Sequence, residues 1–289
     1  MRKPLLVSLF VLGGVLTASA QGTTFSFAQI ADGQDTGGFF WKTTIFVTNP
    51  ASAGGTVSGS IVFGTAAGQA FNISFVNELN QPAPGGANSV SFQVAPLQTR
   101  KFVSTAASPP VNSGYAIGAA NGIVSATAIF SRYGPNGAVV GEATVPAVAT
   151  PVQRQAIVID TTGGFDTGVA VANPGSTATP VVLRLLSTEG VEVVPSSSSN
   201  PTYQLVGFVT EFFPNAPRMV GTLQISSSAP LAALGLRFAP APSGSFTTIP
   251  PVTLASIVQP ALQWFEQKPW LSPFSSLARL LAGVQFHLG

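Results

Sequence analysis

Few residues of this chain could do chemistry, and their types exclude most of it. Among 289 residues there is no cysteine and one histidine, His287, third from the end. Without cysteine there is no disulfide, no thiolate metal site, no iron–sulfur cluster and no sulfur nucleophile. A serine-hydrolase relay needs an imidazole between serine and a carboxylate, and the only one stands in a terminal segment. No Gly-x-Ser-x-Gly elbow, phosphate loop or dinucleotide fingerprint occurs. Paired carboxylates remain: Asp32 with Asp35 in a glycine-rich stretch, and Asp160 with Asp166 further on. Two carboxylates suffice for glycoside hydrolysis, and oxygen ligands for calcium. The spacing does not fit the twelve-residue calcium loop, however, and Asp with Gly is what β-turns select. The residues therefore predict a non-enzymatic chain with no catalytic residue, cofactor or metal. The one segment suited to binding is Phe39-Phe40-Trp41, three aromatics after the pair Gly37-Gly38 and at the start of a strand. Alternation obliges at least one ring to face away from the core, where it could stack on a sugar or dock a protein. The competing reading is that Phe39 or Trp41 plugs the end of a sandwich.

The elements that must position these residues read as strands. Val57, Ile61 and Phe63 alternate with small or polar residues, as do Phe71, Ile73 and Phe75, then Val90, Phe92 and Val94. Val181, Leu183 and Leu185 do so later, before a turn at Ser187-Thr188-Glu189-Gly190 leading into Val191–Val194. Period two, broken every 8–12 residues by Gly, Pro, Asn or Ser, predicts an antiparallel sandwich. With 30 Gly and 24 Pro the chain is rich in turns, and 45% hydrophobic residues supply a core.

A self-comparison points to two copies. Thr43–Pro50 aligns with Thr167–Pro174, Phe92–Phe102 with Tyr203–Phe213, Ala128–Tyr133 with Ala233–Phe238, and Val145–Val148 with Ile249–Val252. The expected fold is all-β: two tandem antiparallel, immunoglobulin-like β-sandwich domains over 24–148 and 154–252. Asn49 should superpose on Asn173 and Arg132 on Arg237, and a brief linker near Pro151 should give a semi-rigid pair.

The ends are different in kind. Arg2-Lys3, the apolar run Leu5–Leu16 and Ala18-Ser19-Ala20 form a signal-peptide pattern, with cleavage expected between Ala20 and Gln21. No cysteine follows, which excludes a lipoprotein anchor, and the run is shorter than the roughly 20 residues of a spanning helix. Of the 12 basic residues, Arg2 and Lys3 leave with the leader, and the other 10 balance 10 acidic ones. The mature chain is thus near neutral, gives no electrostatic pull on nucleic acid, and is prone to self-association. The tail, 253–289, is aromatic-rich. Leu277, Leu280, Leu281, Val284 and Leu288 recur at helical spacing and predict a short amphipathic helix over about 275–287, with no transmembrane span.

The strings FAQIADG, WKTTIFVTNP, VPAV and DTGVAVANP resemble a group of uncharacterised secreted proteins of soil bacteria built from paired β modules. The resemblance covers roughly Phe25 to Val252 and implies export and β modules, with no activity and no functional residues attached. The resulting expectation is an exported structural or adhesive protein of the periplasm, cell surface or extracellular space. The alternative is a carbohydrate- or protein-binding module that uses Phe39, Phe40 and Trp41. The partner, protein or glycan, is not legible in the sequence.

Overall fold

The computed structural model describes residues 22–107, 109–241 and 243–255. The expected leader, the tail helix and His287 lie outside the described residues. In the first half the strands are β1 (Thr23–Gln34), β2 (Phe40–Thr48), β3 (Val57–Gly64), β4 (Phe75–Asn77), β5 (Ser89–Val94), β6 (Thr99–Ser104), β7 (Asn112–Ala120), β8 (Ser125–Tyr133) and β9 (Val139–Pro146). The second half has β10 (Val152–Asp160), β11 (Asp166–Ala172), β12 (Val182–Leu186), β13 (Ser197–Ser198), β14 (Gln204–Phe208), a single helical turn α1 (Val209–Phe212), β15 (Val220–Phe238), β16 (Phe246–Ile249) and β17 (Val252–Thr253). All named pairings are antiparallel, and the chain is all-β. Among the described residues no helix is long and apolar enough to cross a membrane.

Alternation decides which side chains go inside. Ile45, Val47, Ile61, Phe63, Phe92 and Val94 are buried in the first half, and Ile157, Ile159, Leu183, Leu185, Leu223 and Ile225 in the second. Each contributes roughly 1.5–3 kcal/mol by leaving water. Phe71 and Ile73 fall outside any strand yet are also buried, because their N–H groups bond Phe63 O at 3.1 Å and Ala87 O at 2.9 Å and keep the backbone extended.

In the first half one layer runs β1-β7-β3-β5 and the other β4-β6-β2-β8-β9. They join where Gly33 and Gln34 of β1 pair with Trp41 and Phe40 of β2, so the nine strands curl into a nearly closed, barrel-like sheet. In the second half the orders are β13-β12-β15-β10-β17 and β14-β11-β15-β16. The long strand β15 serves both layers: Val220–Ser226 pairs with β10 and β12, and Ala232–Phe238 with β11. In the first half β7 and β8 share those two roles.

Local devices recur as well. The Thr43 hydroxyl accepts from Ala31 N at 3.0 Å and donates to Ala31 O at 2.9 Å; Thr167 does the same to Asp160 N at 3.0 Å and Asp160 O at 3.2 Å. Asn49 and Asn173, both buried, accept from the N–H two residues on and donate to a carbonyl, of Val94 and Thr177 respectively. The proline that follows each lacks an N–H and ends the strand.

The pairings correct two of the sequence alignments. Thr43 lies opposite Phe130, but Thr167 lies opposite Arg237, so Asn49 and Arg132 cannot superpose on Asn173 and Arg237 together. The slip is two residues, which preserves inward and outward faces and leaves the hydrophobic pattern unable to detect it. Second, Thr99 pairs with Thr48 at the end of β2 and Gln204 with Ala172 at the end of β11, while Thr210–Phe212 lies in α1, so the ladders do not set Thr99 beside Thr210.

Beyond the short connection at Pro151, the halves share a buried seam within one compact unit. Strand β11 is covered on both faces: Val169 and Val171 enter the second half's core, while Ala170 and Ala172 join Ala232, Leu234, Leu236 and Phe246 against the core of the first. A register shift in β1 between Phe27 and Ile30 takes Ala28 and Gln29 out of the ladder with β7. Buried Gln204 fills the gap, its amide donating to Ala28 O (2.8 Å), Gly114 O (2.7 Å) and Gln29 Oε1 (3.1 Å).

Candidate functional site

The three aromatics picked out by sequence do not form one platform. Phe39 lies in the turn before β2, and its backbone N–H bonds Asp35 Oδ1 at 3.0 Å. Its ring lies under the Arg132 guanidinium, 4.1 Å away. Phe40 stacks on Tyr133 at 4.9 Å, with Lys42 Nζ 5.6 Å from its ring centre. Trp41 stacks on Phe130 at 4.6 Å and meets Phe246 at 5.6 Å. All three side chains are part-exposed. Strand alternation sends Phe40 and Trp41 to opposite faces, which divides the triplet between two surfaces.

Trp41 reaches a cavity. A cleft of about 430 Å³ opens at the seam, with Trp41, Phe130, Phe208, Phe238, Leu236 and Val206 among its lining residues. The rings form a connected cluster: Phe246 lies 5.6 Å from Phe130 and 5.1 Å from Phe238, and Phe238 meets Phe208 edge-on at 5.1 Å. Strands β2, β8, β14 and β15 each supply a ring from the two halves, so the cleft exists only because the halves are docked. Among the described residues Gln29, Ser113 and Glu211 are its polar members, and no Lys or Arg lines it. Glu211 is exposed, and its Oε2 accepts from Phe208 N at 2.8 Å, which fixes the carboxylate at the rim. Phe130, Phe208 and Phe238 carry no local signal as site residues, being ordinary strand aromatics until the seam brings them together.

A second groove of about 470 Å³ lies over β3, β5 and β6, lined by Glu78, Arg100, Gln93 and Ser91. Its charges satisfy one another, since Arg100 pairs with Glu78 and donates to Gln93 O at 3.1 Å. Phe92 and Phe102, which line it, are buried and offer no stacking face.

The aspartates are held in structural bonds. Asp35 Oδ1 accepts from Gly37 N and Phe39 N, and Asp32 Oδ1 from Ala106 N at 2.7 Å. Burial raises the Asp32 pKa above its ordinary value, against hydrogen bonds from Ser104 and Ala106 and the charge of Lys42. Asp166 bonds Thr167 N and the Thr210 hydroxyl. Asp160 accepts from Thr162 and from Arg237 Nε and a terminal nitrogen at 2.9 and 2.7 Å. Burial opposes its ionisation, but the bonds from Thr162 and Arg237 outweigh that and lower its pKa. Arg237 in turn stacks on Phe165 at 3.4 Å, so Phe165 plays the part of Phe39 under Arg132, where the sequence alignment equates it with Trp41.

No protein-family model, curated protein or solved structure matches this chain.

Proposed function

We propose that this chain is an exported, non-enzymatic binding protein whose contact site is the seam cleft. Its scaffold is two copies of one immunoglobulin-like sandwich module. The shared strand orders, the paired threonine bridges and the paired Asn-Pro strand ends support the duplication. Export to the periplasm, cell surface or medium rests on Arg2-Lys3, Leu5–Leu16 and Ala18–Ala20, and the resemblance to secreted soil-bacterial proteins agrees with it.

The observation that carries the binding reading is Trp41 in an open, largely apolar cleft between the halves. Ligand sites are typically concave and apolar with a few polar groups, and the volume lies within their range of roughly 300–1,000 Å³. A sugar is a poor fit, because its hydroxyls need many partners and the described lining offers three polar side chains. A purely structural or adhesive role keeps one supporting feature, the docking of the halves into one body.

Uptake of Nile red, an uncharged dye that brightens in apolar surroundings, tests the choice. The wild type should bind it saturably, Trp41→Ala should weaken binding, and Phe40→Ala should leave it intact. A wild type without saturable uptake would be a structural module. N-terminal sequencing of the exported protein should begin at Gln21.

A further inference from the structure

We infer that the cleft takes a small amphiphile with an apolar body and a positively charged end, an inference that rests on the binding reading above. Trp41, Phe208, Phe238 and Leu236 offer apolar, largely aromatic surface from both halves. Ring faces carry negative potential and attract cations once water is displaced. Among the described residues Glu211 is the one charged residue lining the cleft, and it forms no ion pair with any of them. Arg132, whose guanidinium lies 5.5 Å from the Trp41 ring centre, is not a lining residue and has Asp35 3.8 Å away. The Gln29 side-chain oxygen already accepts from Gln204 across the seam. An anionic head would therefore meet the Glu211 carboxylate, with no cation among the described lining residues to offset it. An ammonium would meet that carboxylate at an exposed rim, where it stays partly hydrated and avoids the cost of burying a charge.

Three ligands sharing one chain separate body from head: octyltrimethylammonium, 1-octanol and octanoate, each titrated calorimetrically into the full mature protein at low salt. The ammonium should bind roughly two- to fivefold tighter than the alcohol, the span of an exposed ion pair, and octanoate should not bind. The preference should shrink as salt is added. Glu211→Gln retains an oxygen for the Phe208 N–H, so it should erase the preference while leaving octanol affinity unchanged. Val206→Trp, at an exposed position on the cleft, should weaken both ligands together. If octanol binds but octanoate equals the ammonium, or Glu211→Gln keeps the preference, the cationic class is wrong and the binding reading stands. If Val206→Trp leaves the affinities untouched, the site lies elsewhere. If none of the three binds saturably, both readings fall.

Discussion

Gln204 does at the seam what no apolar residue of its size could. It answers the carbonyl that the β1 irregularity takes out of the ladder, and it does so from the other half of the molecule. Gln204→Met keeps the volume and strands that buried oxygen, which costs about 1–3 kcal/mol. A chain of this size loses about 2–4 °C in Tm per kcal/mol, so a thermal melt reads the change directly. Two aspartates give opposite pH signatures. Asp160 has a lowered pKa, so its contribution is present at neutral pH and is lost as pH falls through that value. Asp160→Asn should therefore melt below wild type at pH 7 and converge with it in acid. Asp32 has a raised pKa, so its protonated form stabilises and the benefit is lost as pH climbs through that value. Asp32→Asn should gain on wild type between strongly acid and neutral pH. Melting curves across pH 2–7 check both signs, and parallel shifts would show that neither carboxyl titrates differently in the fold.

At the scale of strands, close packing rests on glycine where an aromatic lies across the neighbouring strand. Gly118 pairs with Phe25, and a Cβ there would sit 2.1 Å from the Phe25 ring. Gly118→Ala must displace that buried ring, at a cost of about 1–3 kcal/mol. Gly55 faces open space at ordinary φ, and Gly55→Ala should stay within about 0.5 kcal/mol of wild type. Equal melting temperatures for the two variants would show that Phe25 repacks freely. The strands themselves were legible, because Ile61, Phe63, Leu183 and Leu185 follow a strict period of two. Register was not, since a two-residue slip leaves every face unchanged, and Arg132 and Arg237 look equivalent while standing at different ladder positions. The candidate triplet was legible only in part. Phe39, Phe40 and Trp41 announce themselves by type, but their separation onto different surfaces depends on where β2 begins. The remaining rings of the cleft are distant in sequence and meet only through docking.

For the molecule as a whole, the seam matters more than the connection at Pro151. Ala170, Ala172 and Ala232 carry no periodic signal as small residues, which is why the seam is silent in the sequence, yet they let β11 approach the other half closely. A shared core predicts one cooperative unfolding transition, with equal calorimetric and van't Hoff enthalpies. Two resolved transitions would mean that the halves melt independently. Ala172→Glu places an unpaired carboxylate in that core, where ions cost several kcal/mol. It should lower Tm sharply and split or broaden the transition.

The aromatic cluster also sets an order in time. Phe130 of the first half rests against Phe246 of the second, and positions 130 and 246 are 116 residues apart in the chain. At synthesis rates of about 5–20 residues per second, the first half waits roughly 6–23 s for the ring that closes its core. During that interval the first half presents an unfinished apolar face, so newly made chains should depend on a holding factor, or on rapid passage to wherever they fold. Because the late ring comes from the other half, neither half reaches its final form before nearly all of the chain is present.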